Sequence, residues 1–209
     1  MFLGSLNQGG NFLSAGPSTS APVQHIVIGS GDSGIYQTVR LIKQKAREAL
    51  AQPAVIQTVK SILVGLPQGA LQTEISKALV RWWMANIRYV PDDDMSWTEQ
   101  GLQWINIHQC PRRFKICEAV EMVSDVPQIL AVRQGDCDDF VTALGAFHGI
   151  AGIRWCPVVV ALDPEIRGEF SHIYLIANLD GSWIPIDAVN RREPWGWEAE
   201  GYFRREVLC

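Results

Sequence analysis

Apolar positions in the first half of the chain recur at the helical period, and those in the second half alternate or run together as in strands. From Asp32 or Ser33, either able to cap, Ile35, Val39, Ile42, Ala46 and Leu50 fall on one face and predict a first helix. Pro53 opens a second, with Val55, Val59, Ile62 and Leu63 facing inward, and Pro67-Gln68-Gly69 breaks it. A third runs from about Leu71 to Ile87, with Leu71, Ile75, Leu79 and Trp82 on one stripe, and ends before Pro91.

Beyond these helices, Pro127-Gln128-Ile129-Leu130 leads into Gly135-Asp136-Cys137-Asp138-Asp139-Phe140. A helix then carries Phe140, Val141, Leu144 and Phe147 and stops near Gly149 or Gly152. Cys156 to Leu162 is a valine-rich buried strand, Phe170 to Ala177 a second, and Ser182 to Asp187 a third, returning from the Asp180-Gly181 turn signal. Helices first and an antiparallel sheet last make the fold α+β, with the sheet packed on the helix that follows Cys137.

Four stretches divide the chain. Residues 1–31 are rich in Gly, Ser, Asn and Pro and cannot bury a core alone, so they are expected to form an arm docked on a partner or left flexible, with Val23 to Ile28 as its one weak strand. Residues 32–90 are the helical part. Residues 91–126 read as an insertion, with Ile105-Asn106-Ile107 as a short strand and Cys117 to Val123 as a helix turn. Residues 127–209 are the core with a C-terminal tail.

At 47% apolar and 19% charged residues the chain is globular, and its net charge of −4 argues against a nucleic-acid partner. No stretch reaches the roughly 18 apolar residues of a membrane span, and the start lacks the pattern of a secretory leader. Five cysteines with no CxxC pair exclude both a zinc knuckle and a disulfide framework that uses them all. Reduced thiols are therefore expected, Cys110 and Cys117 included.

Cys137 is the candidate nucleophile. Sulfur attacks as thiolate, and a helix N-terminus stabilises that anion and offers N–H groups to an oxyanion. Gly135 would permit the sharp turn that sets the sulfur there. Asp136, Asp138 and Asp139 oppose ionisation of the thiol by their charge. His172, in Ser171-His172-Ile173, is the candidate base, and Asp187, in Ile186-Asp187-Ala188, the acid that orients it. A two-residue Asp180-Gly181 loop pairs Leu179 with Ser182. The register then sets Tyr174 opposite Asp187, so His172 and Asp187 share a face as diagonal neighbours roughly 7–8 Å apart. A three-residue loop would separate them onto opposite faces.

Each of the three has an ordinary reading alone: a buried structural cysteine, a satisfied histidine, a strand-end aspartate. Their order along one fold is what favours chemistry. Asp138 and Asp139 read as first-turn helix acids, one of which could line the site. Cys137, the neighbouring acids, His172 and Asp187 include zinc-binding types, but no spacing demands a metal, and no cofactor is called for. His148 reads as a helix-end cap, and His25 and His108 have no partner pattern. Of eight tryptophans, Trp82 and Trp83 read as core, Trp155 and Trp183 flank the sheet, and Trp195 and Trp197 could roof the cleft or anchor a partner. The Tyr202-Phe203-Arg204-Arg205 tail is too short for a nucleic-acid site.

Gly-Asp-Cys-Asp-Asp at 135–139, Phe170-Ser171-His172-Ile173-Tyr174 and Trp183-Ile184-Pro185-Ile186-Asp187 resemble the transglutaminase-like superfamily of papain-like cysteine enzymes. Ile87-Arg88-Tyr89-Val90-Pro91-Asp92 and the proline-led stretch at 127–130 look closest to versions encoded by tailed bacteriophages and prophages. The resemblance covers about residues 71–190, interrupted by the insertion. It implies Cys137 as nucleophile, His172 as general base, Asp187 as orienting acid, and no metal in the chemistry. The extra domains of calcium-regulated transglutaminases are absent from this chain, so calcium control is not expected. Expected partners are a peptide or protein substrate, other virion proteins through the arm, and a second copy of the chain. The expected place is the host cytoplasm at synthesis, with incorporation into a virion to follow. The competing expectation is a head, neck or tail-junction protein of the virion that keeps the fold with little or no activity.

Overall fold

The computed structural model describes residues 31–90, 96–98, 101–103, 123–165, 168–187 and 195–209. The arm and most of the insertion, with its expected strand at 105–107, its helix turn, Cys110 and Cys117, lie outside the described residues.

Three helices come first: α1 (Gly31–Ala49), α2 (Pro53–Leu63) and α3 (Gln72–Asn86). Their buried positions follow the predicted period through Val39, Ile42, Ala46, Val55, Val59 and Leu79. The stripes stop short at their ends. Leu50 and Leu71 are exposed, and Leu71 precedes α3 as its N-cap residue. The start of α3 is held from a distance. Asp180, in the hairpin turn, accepts from the N–H groups of Gln72 (3.1 Å) and Thr73 (3.1 Å) and from the Thr73 hydroxyl (2.6 Å). Those bonds satisfy N–H groups the helix itself cannot, and they hold the Asp180 carboxyl below its ordinary range.

A two-residue strand, β1 (Arg88–Tyr89), follows, then a small hairpin of β2 (Ser96–Thr98) and β3 (Gly101–Gln103). The proline-led stretch is a helix, α4 (Val126–Val132), which ends on Arg133 in the left-handed region (φ 59°). The turn ahead of the cysteine is thus made by Arg133, not by Gly135. Gly135 belongs to β4 (Gln134–Gly135), which pairs in parallel with β1. Its missing side chain answers a different need, because a Cβ there would meet the Asp139 Cβ at 2.7 Å.

The central helix is α5 (Cys137–Ile150), buried along nearly its whole length. It touches α1 to α4 on one side and the sheet on the other. The sheet has β5 (Trp155–Ala161), β6 (His172–Leu179), β7 (Ser182–Ile186) and β8 (Arg204–Val207) in the order β7-β6-β5-β8, all antiparallel. Val159, Ala161, Ile173, Leu175, Ala177 and Ile186 join α5 in the main core. Gly145 lets α5 approach closely, since a Cβ there would stand 2.5 Å from the Trp155 ring. Cys156, Val158, Val160, Tyr174 and Ile176 make a smaller core on the other face.

The reduced-thiol expectation fails at one pair. Cys156 and Cys209 form a disulfide that ties the tail beyond β8 to β5, across 53 residues of sequence. The two cysteines are far apart in the chain and follow no spacing pattern, which is why counting them could not pair them. Among the described residues, no helix is long and apolar enough to cross a membrane.

Candidate active site

Asp180 (φ 51°) and Gly181 (φ 90°) both take the left-handed turn that an Asp-Gly hairpin needs, and Leu179 pairs with Ser182. The register continues to Leu175 opposite Ile186, which leaves Asp187 one residue beyond β7, at the level of Tyr174. His172, the first residue of β6, meets it: His172 Nε2 lies 2.7 Å from Asp187 Oδ2. The Nε2–H donates to the carboxylate, so Nδ1 is the ring nitrogen left to hold another proton. The Asp187 side chain is 1% exposed and that of His172 11%, so bulk water screens this bond little. Tyr174 stacks beside the imidazole, with ring centroids 6.2 Å apart. Its hydroxyl donates to Glu198, which also accepts from Arg205 Nε at 2.6 Å.

Cys137 is the first residue of α5 and half-buried. Asp136 caps the helix, accepting from the N–H groups of Asp138 (3.2 Å) and Asp139 (3.4 Å). Asp139 also accepts from the Ser124 N–H at 2.9 Å, and from its hydroxyl. Asp138 and Asp139 are first-turn acids of α5, as expected, and with Asp136 they are buried. Burial drives the Asp138 carboxyl well above its ordinary range, helped by a hydrogen bond and repulsion from Asp136. Burial also lifts Asp139 to about 7, against the Ser124 bonds. Protons therefore offset part of the charge expected to oppose a thiolate, at Asp138 above all.

One carboxylate oxygen from each of Asp136, Asp138 and Asp139 lies within 4.8 Å of the others. That all-oxygen set would suit a hard cation rather than zinc, and the zinc-type grouping of Cys137 with His172 and Asp187 is not the one formed.

The loop before Cys137 is fixed from the other side by β1. Arg88 N–H donates to Arg133 O (2.9 Å) and Val90 N–H to Gly135 O (3.0 Å), with Tyr89 opposite Gly135 between them. The Tyr89 hydroxyl lies within electrostatic reach of Cys137, Asp136, Asp187 and Asp138, and burial first, then each of these, holds its proton on. Tyr89 thus lies near enough to the thiol-bearing helix start and to Asp187 for their charges to act on its hydroxyl. Periodicity could not single it out, because its strand has only two residues.

His148 is no end cap. It is fully buried, with Nδ1 2.7 Å from the Leu144 carbonyl and Nε2 2.9 Å from Ser76 Oγ. The carbonyl requires Nδ1–H, so Nε2 accepts the serine proton. Burial pushes this histidine down to about 4. Trp195 lies past Asp187, bridged to Ile186 and packed on the main core, with Lys77 Nζ 4.2 Å from its ring centre.

No family model matches this sequence, and no curated protein matches it. The chain is similar in fold to a putative protease from Parabacteroides distasonis ATCC 8503, with a TM-score of 0.49 and 11% identity over 72% of this chain and 26% of that one. It is also similar to a putative cysteine protease from Cytophaga hutchinsonii, with a TM-score of 0.43 and 14% identity over 73% of this chain and 42% of that one. The chain spans less than half the length of either.

Proposed function

We propose that this protein carries out thiol-dependent acyl transfer or hydrolysis at a peptide or protein amide, with Cys137 as nucleophile, His172 as general base and Asp187 as the acid that orients it. The observation that carries this reading is the part-buried 2.7 Å bond between His172 Nε2 and Asp187 Oδ2, at the edge of a sheet that packs on the helix begun by Cys137. With Nε2–H committed to Asp187, Nδ1 takes the thiol proton. The sulfur attacks the amide carbonyl, the imidazolium returns the proton to the leaving amine, and a thioester remains on Cys137. Water then gives hydrolysis, and an amine gives transfer. The chain's own residues supply every step.

The transglutaminase-like, phage-encoded origin is part of this proposal and rests on the motifs at 135–139, 170–174, 183–187 and 87–92. Synthesis in a host cytoplasm and docking of the arm on virion proteins follow from that origin. The deciding experiment is the pH dependence of iodoacetamide labelling at Cys137, read by peptide mass spectrometry in the wild type and in His172→Ala. The expected result is rapid labelling near neutral pH, slowed by on the order of 10²-fold in the variant. Labelling no faster than that of an ordinary thiol would reject the enzyme and leave the inert virion protein as the reading.

A further inference from the structure

We propose that the Tyr89 hydroxyl is a catalytic hydrogen-bond donor to the oxyanion formed at Cys137, acting beside the Cys137 N–H. The inference rests on the acyl-transfer reading above and adds to it a residue from the far side of the site.

The geometry starts from the backbone. Parallel pairing sets Tyr89 opposite Gly135, two residues ahead of the thiol. The bonds from Arg88 N–H and Val90 N–H, on either side of Tyr89, lock it to that loop. On the loop's other side the space beside Gly135 is filled by Asp139. The loop that carries the thiol is therefore clamped between β1 and the first turn of α5, and Tyr89 cannot shift without it. The phenol is half-buried and close enough to Cys137 and Asp187 for their charges to act on it.

The chemistry of the surroundings supplies the rest. Asp136 accepts from the first turn of α5 and Asp187 from His172, and a carboxylate near a developing oxyanion opposes it. Asp187 is committed to His172. A site so rich in acceptors needs a donor that cannot ionise, and Tyr89 is one, because burial and every nearby acid hold its proton on. When the sulfur attacks, the C–S bond forms and the carbonyl π pair moves onto oxygen. That oxygen accepts the Tyr89 O–H and the Cys137 N–H. Collapse restores the carbonyl and expels the leaving group with its electron pair. The loss of one such donor typically slows acylation by about 10²–10³-fold.

The test uses p-nitrophenyl acetate on the full chain. Cys137 should be acetylated with a stoichiometric burst of p-nitrophenolate that is absent in Cys137→Ala. In Tyr89→Phe the burst should slow by about 10²-fold. Labelling by iodoacetamide should change by less than about twofold, because displacement of iodide forms no oxyanion, and the thermal midpoint should stay within about 2 °C of wild type. Tyr89→Leu should match Tyr89→Phe in the burst, since both lack the hydroxyl. An unchanged burst in Tyr89→Phe would overturn the proposal. Equal slowing of burst and alkylation would overturn it too, assigning Tyr89 to the thiol instead. A wild type with no Cys137-dependent burst would overturn the acyl-transfer reading itself, and this proposal with it.

Discussion

Two histidines differ in what faces the ring: His148, buried near the C-terminal end of α5, and His172, half-buried at the start of β6. At the C-terminal end His148 meets a carbonyl and a serine hydroxyl, both neutral. Burial there favours the uncharged ring, and its pKa falls to about 4. His172 instead meets the buried Asp187, with its Nε2 2.7 Å from Asp187 Oδ2. The first ring joins α3 to α5 and has no use for a proton. The second is oriented through Nε2 by a carboxyl oxygen, which leaves Nδ1 as the nitrogen for another proton. The C-terminal end of α5 is thus a structural end, and the N-terminal end, which carries Cys137, is the end where the proposed reaction would take place.

Removing the reactive histidine should have the largest effect. In His172→Ala, alkylation of Cys137 near neutral pH should slow by on the order of 10²-fold, while chemical denaturation shows a smaller change. Asp187→Ala should also slow the reaction and should destabilise the fold as well, since Asp187 is buried. If His172→Ala left the rate unchanged, the two ends would be equivalent and the contrast would fail.

His148→Gln should invert that pattern. The Ser76 hydroxyl and the Leu144 carbonyl lose a well-placed partner, which should cost about 2 kcal/mol in urea unfolding. Labelling of Cys137 should not change. A variant that lost reactivity but kept stability would assign His148 to the chemistry.

The pH dependence sharpens the contrast further. His148 titrates at 6.5 when unfolded and at about 4 when folded, so its contribution is full above pH 6.5 and is lost as pH falls through about 4. The displacement corresponds to about 3 kcal/mol. Asp139 runs the other way. Its pKa rises from 3.8 to about 7 on folding, so its contribution is full below 3.8 and is lost as pH rises through about 7. The wild-type profile between these limits is the sum of two opposed slopes. His148→Gln should remove the acid loss, and Asp139→Asn should remove the loss toward neutral pH, each visible in denaturation midpoints taken from pH 4 to 8.

The smallest effect should come from Asp180→Ala, which uncaps α3 near the structural end. It should lower the urea midpoint slightly and leave the alkylation rate of Cys137 unchanged. A loss of reactivity instead would mean that the hairpin register, and with it the level of Asp187, depends on the Asp180 side chain.

The end of α5 where the reaction is proposed was more legible in the sequence than the structural end, for a physical reason. The Asp-Gly turn fixes register locally, and register carries His172 and Asp187 to one place over 15 residues of chain. The helix start at Cys137 is likewise written in the acids and apolar period that follow it. His148 depends on Ser76, 72 residues away, and nothing local separates a cap from a buried bridge. The same distance hid the β1–β4 pairing that gives Tyr89 its position, and the cap that Asp180 supplies to α3 across 107 residues. The acid cluster was read correctly as first-turn acids, while the raised carboxyl of Asp138 depends on burial, which is a property of the packed helix.

The Cys156–Cys209 bond has a practical side. Thiol chemists routinely keep a nucleophilic cysteine reduced with dithiothreitol, and here the same reagent would cut the staple holding the last residues to β5. An assay buffer is then not a neutral medium: it selects between a stapled and an unstapled sheet edge while it protects Cys137. Comparison of dithiothreitol with a reductant-free, oxygen-depleted buffer would separate what the thiol does from what the edge strand contributes.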